Sequence, residues 1–232
     1  MSTGRLIGIG VGPGDPELMT LKAVRHVGEA PVLAYVAAGG RTSLARRIAA
    51  PHIPAGKREI NIALPMHPRP ELAQAAYDEG ASRLAAELEQ DRDVAVLCEG
   101  DPLFYGSFVQ LFARLGAQYR TEVVPGVISI TAAAAAARMP LVWRDKTLSV
   151  LPATLPVDEL RHRLGRADAA AVLKVGRHLA QVRAILDELG LMERAIYVER
   201  ASGPDERVMS LLDLEGETEA PYFALILVPP GP

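Results

Sequence analysis

A chain of 232 residues that is 49% hydrophobic and 23% charged has the size and balance of a soluble globular protein with one large or two small domains. Its formal net charge of −3 argues against a nucleic-acid binder, which carries a net basic face. No apolar run approaches the roughly 20 residues that span a bilayer, and the single cysteine, Cys98, forbids an intrachain disulfide and argues against a Cys-based zinc site.

Short apolar runs alternate with helical patterns, the signature of α/β architecture. Leu6–Gly10 reads as the first strand and 12–16 as the loop after it. Thr20 is a plausible N-cap for a helix carrying Leu21, Val24 and Val27 on one face. A second strand at 32–36 and a short basic helix at 42–50 follow. Pro70 stands where an N1 proline belongs and opens a long helix through Glu89. The strand Val94–Cys98 runs into Glu99-Gly100-Asp101-Pro102, then a helix from about Tyr105 to Leu115, a strand at 122–124, and a helix from about Ser129 to Arg138. Beyond that point strands outnumber helices. Segments 148–151, 170–175, 195–199, 207–211 and 223–228 read as strands, with helices near 158–164 and 178–189. That excess predicts a mixed sheet in the second half. With the boundary near Pro140, the chain divides into domains 1–139 and 140–232.

Arg5 leads directly into a strand and a glycine loop, without the basic region and apolar core of a signal peptide, so the cytoplasm is the expected location. His26, His52, His67, His162 and His178 form no short ligand pair, and no metal is expected.

Four segments carry chemistry. Residues 8–16, GIGVGPGDP, form a glycine-rich strand-to-helix turn in which backbone N–H groups can approach a ligand. It is not a dinucleotide fingerprint. Counting G-x-G-x-x-G from Gly8 puts Pro13 at the last glycine, and counting from Gly10 puts Asp15 there. No Gly-Lys-Ser/Thr exists, so the Walker pattern is absent too. Residues 98–106, CEGDPLFYG, follow a strand, where ligands of open α/β sheets sit; Asp101 reads either as part of a site or as a cap of the next helix. Residues 124–131, VPGVISIT, form a turn before an alanine-rich helix. Residues 173–178, LKVGRH, place Lys174, Arg177 and His178 together at a strand end, either as solvated surface or as a site for an anion.

Taken in this order, GVGPGDPEL, EGDPLFYGSF, PGVISITAAAA followed by MPL, and KVGRHL resemble the SAM-dependent tetrapyrrole methylases over essentially the whole chain. The CEGDPLFYGSF and KVGRH segments look most like the precorrin-2 C20-methyltransferase branch. The resemblance implies two α/β domains with the cofactor cleft between them and a homodimer. It also implies S-adenosylmethionine (SAM) as cofactor, with S-adenosylhomocysteine (SAH) as product, and a tetrapyrrole substrate. Carried over by position, the cofactor site comprises Pro13, Gly100, Asp101, Phe104, Ile128, Ser129, Val175, Ala201 and Leu225. The substrate is a polycarboxylate, so Arg41, Lys57, Arg144, Lys174 and Arg177 are its candidate partners. One departure stands out. Uroporphyrinogen methylases carry an Asp just after the second strand, whereas this chain has Val36 followed by Ala37-Ala38-Gly39-Gly40, while Gly56-Lys57-Arg58 is kept. The pattern therefore leaves no general base named. The alternatives are another tetrapyrrole methylase acting on uroporphyrinogen III or at C11 of precorrin-4, a nicotinamide oxidoreductase, and a non-catalytic binder of SAM or tetrapyrrole.

Overall fold

The computed structural model describes residues 3–65, 69–214 and 216–231; of the histidines, His67 lies outside them. Backbone contacts divide the chain into two units, Met1–Ile128 and Ser129–Pro232.

The first unit runs β1 (Leu6–Gly10), α1 (Leu21–Glu29), β2 (Val32–Ala38), α2 (Leu44–Ala49), β3 (Arg58–Leu64), α3 (Pro70–Leu88), β4 (Val94–Cys98), α4 (Phe108–Leu115) and β5 (Thr121–Val124). Its five strands lie in the order β3-β2-β4-β1-β5 and every pairing is parallel. Helices cover both faces of such a sheet, so its central strands are buried throughout, as β1 and β4 are. One face packs Leu6, Val94, Val96 and Cys98 with Leu84, Leu88, Phe108 and Leu111; the other packs Ile7, Ile9, Ala95 and Leu97 with Ala23, Val27 and Ile48. Gly8 belongs to this design. A Cβ there would stand 2.6 Å from the Phe108 ring, so the missing side chain is what lets α4 lie directly on β1.

Local signals explain most of these elements. The Thr20 hydroxyl accepts from the Ala23 N–H at 3.1 Å, and Pro70 occupies the first turn of α3. The predicted inner face of α1 is corrected by the structure: Leu21 is 90% exposed, and Ala23, His26 and Val27 are the buried residues. The strand β3 is absent from the sequence reading altogether. It is an edge strand, and only alternate residues, Ile60, Ile62 and the half-buried Leu64, pack against the core. Its apolar signal is therefore an alternation rather than a continuous run.

The second unit comprises α5 (Ser129–Ala136), β6 (Leu148–Pro152), α6 (Val157–Arg166), β7 (Ala169–Leu173), α7 (Leu179–Glu188), β8 (Ile196–Glu199), β9 (Arg207–Ser210) and β10 (Ala224–Val228). The strand order is β6-β7-β10-β8-β9; β6 pairs with β7 in parallel and the other pairings are antiparallel. The sheet is mixed, as the excess of strands implies. The division between units falls after Ile128, whereas the sequence reading ends the first domain at Met139. The physical reason is α5, which packs against β10 of the second unit. Among the described residues, no helix is long and apolar enough to cross a membrane.

Gly8→Ala and Gly28→Ala should move stability in opposite directions. Gly8→Ala overpacks against Phe108 and should cost about 1–3 kcal/mol. Gly28 lies in α1 with nothing within 4 Å of an added Cβ, so alanine there should stabilise by about 0.5–1 kcal/mol through helix propensity. Urea midpoints of the two variants check both signs.

Candidate functional site

Because the sheet of the first unit is parallel, the loops after β1, β4 and β5 leave from one edge, and these three strands are neighbours. There the loops interlock through the backbone. The Val11 N–H donates to the Cys98 carbonyl at 2.9 Å. Gly12 and Gly100 then exchange hydrogen bonds, at 2.8 Å from the Gly100 N–H and 3.3 Å from the Gly12 N–H. This bridge is antiparallel, so the chain must bend away from the parallel ladder. Gly12 at φ +81° and Gly100 at φ +64° make that bend.

Two more glycines close the cluster. A Cβ on Gly10 would lie 2.6 Å from the Gly100 carbonyl oxygen and 2.6 Å from Gly126 N. A Cβ on Gly126 would collide with the Gly100 carbonyl and stand 2.8 Å from the Gly10 Cα. Asp101 ties the same loops from the side-chain direction. Its Oδ2 accepts from the Gly126 N–H at 3.0 Å and its Oδ1 from the Leu103 N–H at 2.9 Å. The helix-cap reading of Asp101 is thereby replaced, since α4 begins only at Phe108. Tyr105 at φ +55° and the tight turn around Gly106, where a Cβ would meet the Pro102 carbonyl at 2.5 Å, delay that start past the predicted Tyr105. Phe104 and Tyr105 stack edge to face at 5.1 Å on this loop, and Tyr105 is exposed.

Two ionisable groups flank the cluster. Burial pushes the Cys98 thiol up to about 12, with the Ser107 Oγ 3.7 Å away, so it is no nucleophile at neutral pH. Burial also raises the Glu99 carboxyl above its usual range, against the backbone N–H groups of Glu99 itself and of Ala45, the latter donating to Oε1 at 3.1 Å.

The sequence-derived residues divide by place. Pro13, Gly100, Asp101, Phe104 and Ile128 all lie on the three interlocked loops, and exposed Arg41 follows β2 at the same edge. Lys57 does not join them. It precedes β3 at the opposite edge, and its Nζ donates to the carbonyls of Gly28 and Ala30 at 2.7 and 2.8 Å, closing the C-terminus of α1. In the second unit, β7 and β8 both run antiparallel to β10. The segment after β7 with Lys174, Val175 and Arg177, the segment after β8 with Ala201, and the start of β10 with Leu225 therefore share one edge, and the Arg200 N–H donates to the Phe223 carbonyl at 2.8 Å there. Val175, Ala201 and Leu225 are buried, whereas Lys174 (φ +57°) and Arg177 are exposed. Ser129 opens α5, and exposed Arg144 lies in the loop entering β6. Sequence reasoning missed Gly10, Gly126 and Glu99. The first two were visible only as glycines at strand ends, and Glu99 only as the residue before Gly100.

An all-parallel sheet whose strand-end loops are shaped by glycine, without a dinucleotide or Walker pattern, defines an open α/β fold of the kind that binds ligands at the carboxyl ends of its strands. Residues 5–214 match the family model described as Tetrapyrrole (Corrin/Porphyrin) Methylases. The chain is 40% identical to a precorrin-2 C(20)-methyltransferase of Sinorhizobium sp, over 99% of this chain and 96% of that one. It is 46% identical to the cobalamin biosynthesis protein CobIJ of Mycobacterium bovis over 98% of its own length, but spans only 46% of that longer relative. Among solved structures, a uroporphyrin-III C-methyltransferase from Thermus thermophilus complexed with S-adenosylhomocysteine is similar at TM-score 0.71 and 29% identity, covering 97% of this chain and 92% of that one. The chain belongs to the tetrapyrrole methylases, a family that takes its methyl group from SAM.

Removing the Asp101 carboxylate should loosen the joined loops. Asp101→Ala leaves the Gly126 N–H without its acceptor and should cost about 1–3 kcal/mol in urea unfolding. Asp101→Asn keeps one acceptor oxygen and should lose less.

Proposed function

We propose that this chain is the SAM-dependent methyltransferase that adds a methyl group to C20 of precorrin-2 in corrin biosynthesis. The observation that carries this reading is the 40% identity, over nearly the full length of both chains, to a relative bearing that name. The 46% match to CobIJ, of which this chain spans about half, fits a methylase unit that can stand within a longer protein.

The residues present suit the cofactor. The loops leave room beside Gly100, where a Cβ would make only ordinary contact with the Val127 carbonyl at 3.8 Å. Pro13, Gly100, Asp101, Phe104, Ile128, Ser129, Val175, Ala201 and Leu225 are the residues proposed to hold it. When bound, the cofactor supplies an activated methyl group, and the hard chemistry is its own. The chain contributes alignment and exclusion of water. The Asp101 link keeps the β4 and β5 loops in one register, and Val175, Ala201 and Leu225, buried in the second unit, bring apolar rather than charged groups. Exposed Arg41, Arg144, Lys174 and Arg177 remain candidates for the substrate carboxylates. Lys57 drops out of that set because its ammonium is spent on α1.

The same reading carries a homodimer in the cytoplasm. Its support is the family resemblance together with Leu103, Tyr105, Val109 and Phe112, exposed apolar side chains on and just before α4.

The test is incubation with SAM and each of precorrin-2, cobalt-precorrin-2, uroporphyrinogen III and precorrin-4, followed by product mass and NMR location of the new methyl group. One added methyl at C20 of a precorrin-2 substrate is expected. Methylation only of uroporphyrinogen III, or only at C11 of precorrin-4, overturns the reading. In the same assay Arg177→Ala should raise the tetrapyrrole KM about tenfold or more, as loss of a charge-assisted contact does, while leaving SAH affinity unchanged.

A further inference from the structure

Glu99 stands apart from the other carboxylates taken out of water. Glu87 is paired with Arg58 and Arg92, Glu199 with Arg207, and Glu59 with Arg46. Asp101 has two backbone N–H donors on its two oxygens. Glu99 is half-buried, forms no ion pair among the described residues, and has a single hydrogen bond from another residue, the Ala45 N–H on Oε1. Helix capping accounts for only part of this placement: the Ala45 N–H in the first turn of α2 favours an anion, while the Ser43 hydroxyl already caps α2 by accepting from the Arg46 N–H at 3.4 Å. A carboxylate partly removed from water and without an ion pair is a cost to the fold that an arriving cation offsets.

Its position identifies the cation. Glu99 immediately precedes Gly100 on the interlocked loops, one residue from the backbone that the proposed cofactor approaches. SAM differs from most small metabolites in carrying a fixed sulfonium charge beside its ammonium group.

We infer that Glu99 is the counter-charge for the cationic amino-acid end of the methyl donor, binding it through carboxylate–cation attraction beside the Gly100 backbone. The inference rests on the proposed SAM site and adds to it a residue that selects for charge. The contact concerns the charged end of the donor and not its adenine or ribose. Glu99→Gln therefore weakens ligands according to the positive charge they carry at this end, and leaves a neutral ligand with the same nucleoside untouched.

The experiment is calorimetric titration of wild type, Glu99→Gln and Glu99→Asp with SAM, SAH and adenosine. For Glu99→Gln, SAM affinity should fall about tenfold or more, with adenosine within twofold of wild type. An unchanged SAH affinity assigns the contact to the sulfonium, and an SAH affinity that falls with that of SAM assigns it to the ammonium; both support the inference. Glu99→Asp keeps the charge and should lie between the two. Equal weakening of all three ligands makes Glu99 a structural support of the loop and overturns the inference, as does no change in any of them. Wild type that binds neither SAM nor SAH overturns the SAM reading itself, and with it this inference. Folding is checked separately by thermal melting. Burial raises the Glu99 carboxyl from its ordinary 4.5, so the charged form is the one the fold disfavours, and that cost grows as pH rises through the raised value. Glu99→Gln should accordingly melt no lower than wild type at pH 8. A Gln variant that fails to fold is read through Glu99→Asp: a loss of SAM affinity that adenosine does not share supports the charge, and equal loss for SAM and adenosine, or no change in either, overturns it.

Discussion

Three backbone segments meet at Gly10, Gly100 and Gly126 so closely that a Cβ on the first or third would strike the carbonyl of the second. The rest of the first unit is arranged to allow that meeting. Parallel pairing of β4, β1 and β5 brings the three loops to one edge, and positive φ at Gly12 and Gly100 turns two of them into a mutual bridge. Asp101 then fixes the third loop to the second. A loop shaped in this way has little freedom left to lose on binding a ligand.

The second unit uses a different device. Its mixed sheet sends the ends of β7 and β8 and the start of β10 to one edge, and the residues carried over as cofactor contacts there are buried apolar ones. Side-chain chemistry is sparse in both places. The charged exceptions include Asp101, which ties two loops together, Glu99, half-buried with no ion pair among the described residues, and Lys174 and Arg177, exposed at the end of β7. For a reaction whose reactivity resides in its donor, such economy is physically reasonable, because orientation and charge balance are what remain for the protein to provide.

How much of this was legible in the sequence depended on the kind of signal. Buried central strands announce themselves as apolar runs, and Leu6–Gly10 and Val94–Cys98 were readable to the residue. Thr20 and Pro70 marked helix starts because capping is local chemistry. The edge strand β3 was invisible for the converse reason: only alternate residues are buried, and the run is broken by Glu59 and Asn61. Leu21 misled because the first turn of α1 projects its apolar residue into solvent. Motif resemblance assembled the loops around Pro13, Gly100 and Ile128, which all follow strands of one parallel sheet. It misplaced Lys57, whose partners Gly28 and Ala30 are distant in sequence. The long-range contacts of Asp101 with Gly126 and of Glu99 with Ala45 were beyond any pattern along the chain.

The central claim is that the glycine-joined loops form one cofactor-binding surface. Amide hydrogen exchange with and without SAH tests it most directly, because it reads each backbone segment separately. Binding should slow exchange together in segments 10–15, 99–106 and 125–128 while leaving the β3 edge and the Lys57 turn unchanged. SAH that binds with those three segments unaffected, and protection appearing elsewhere in the first unit instead, contradicts the claim.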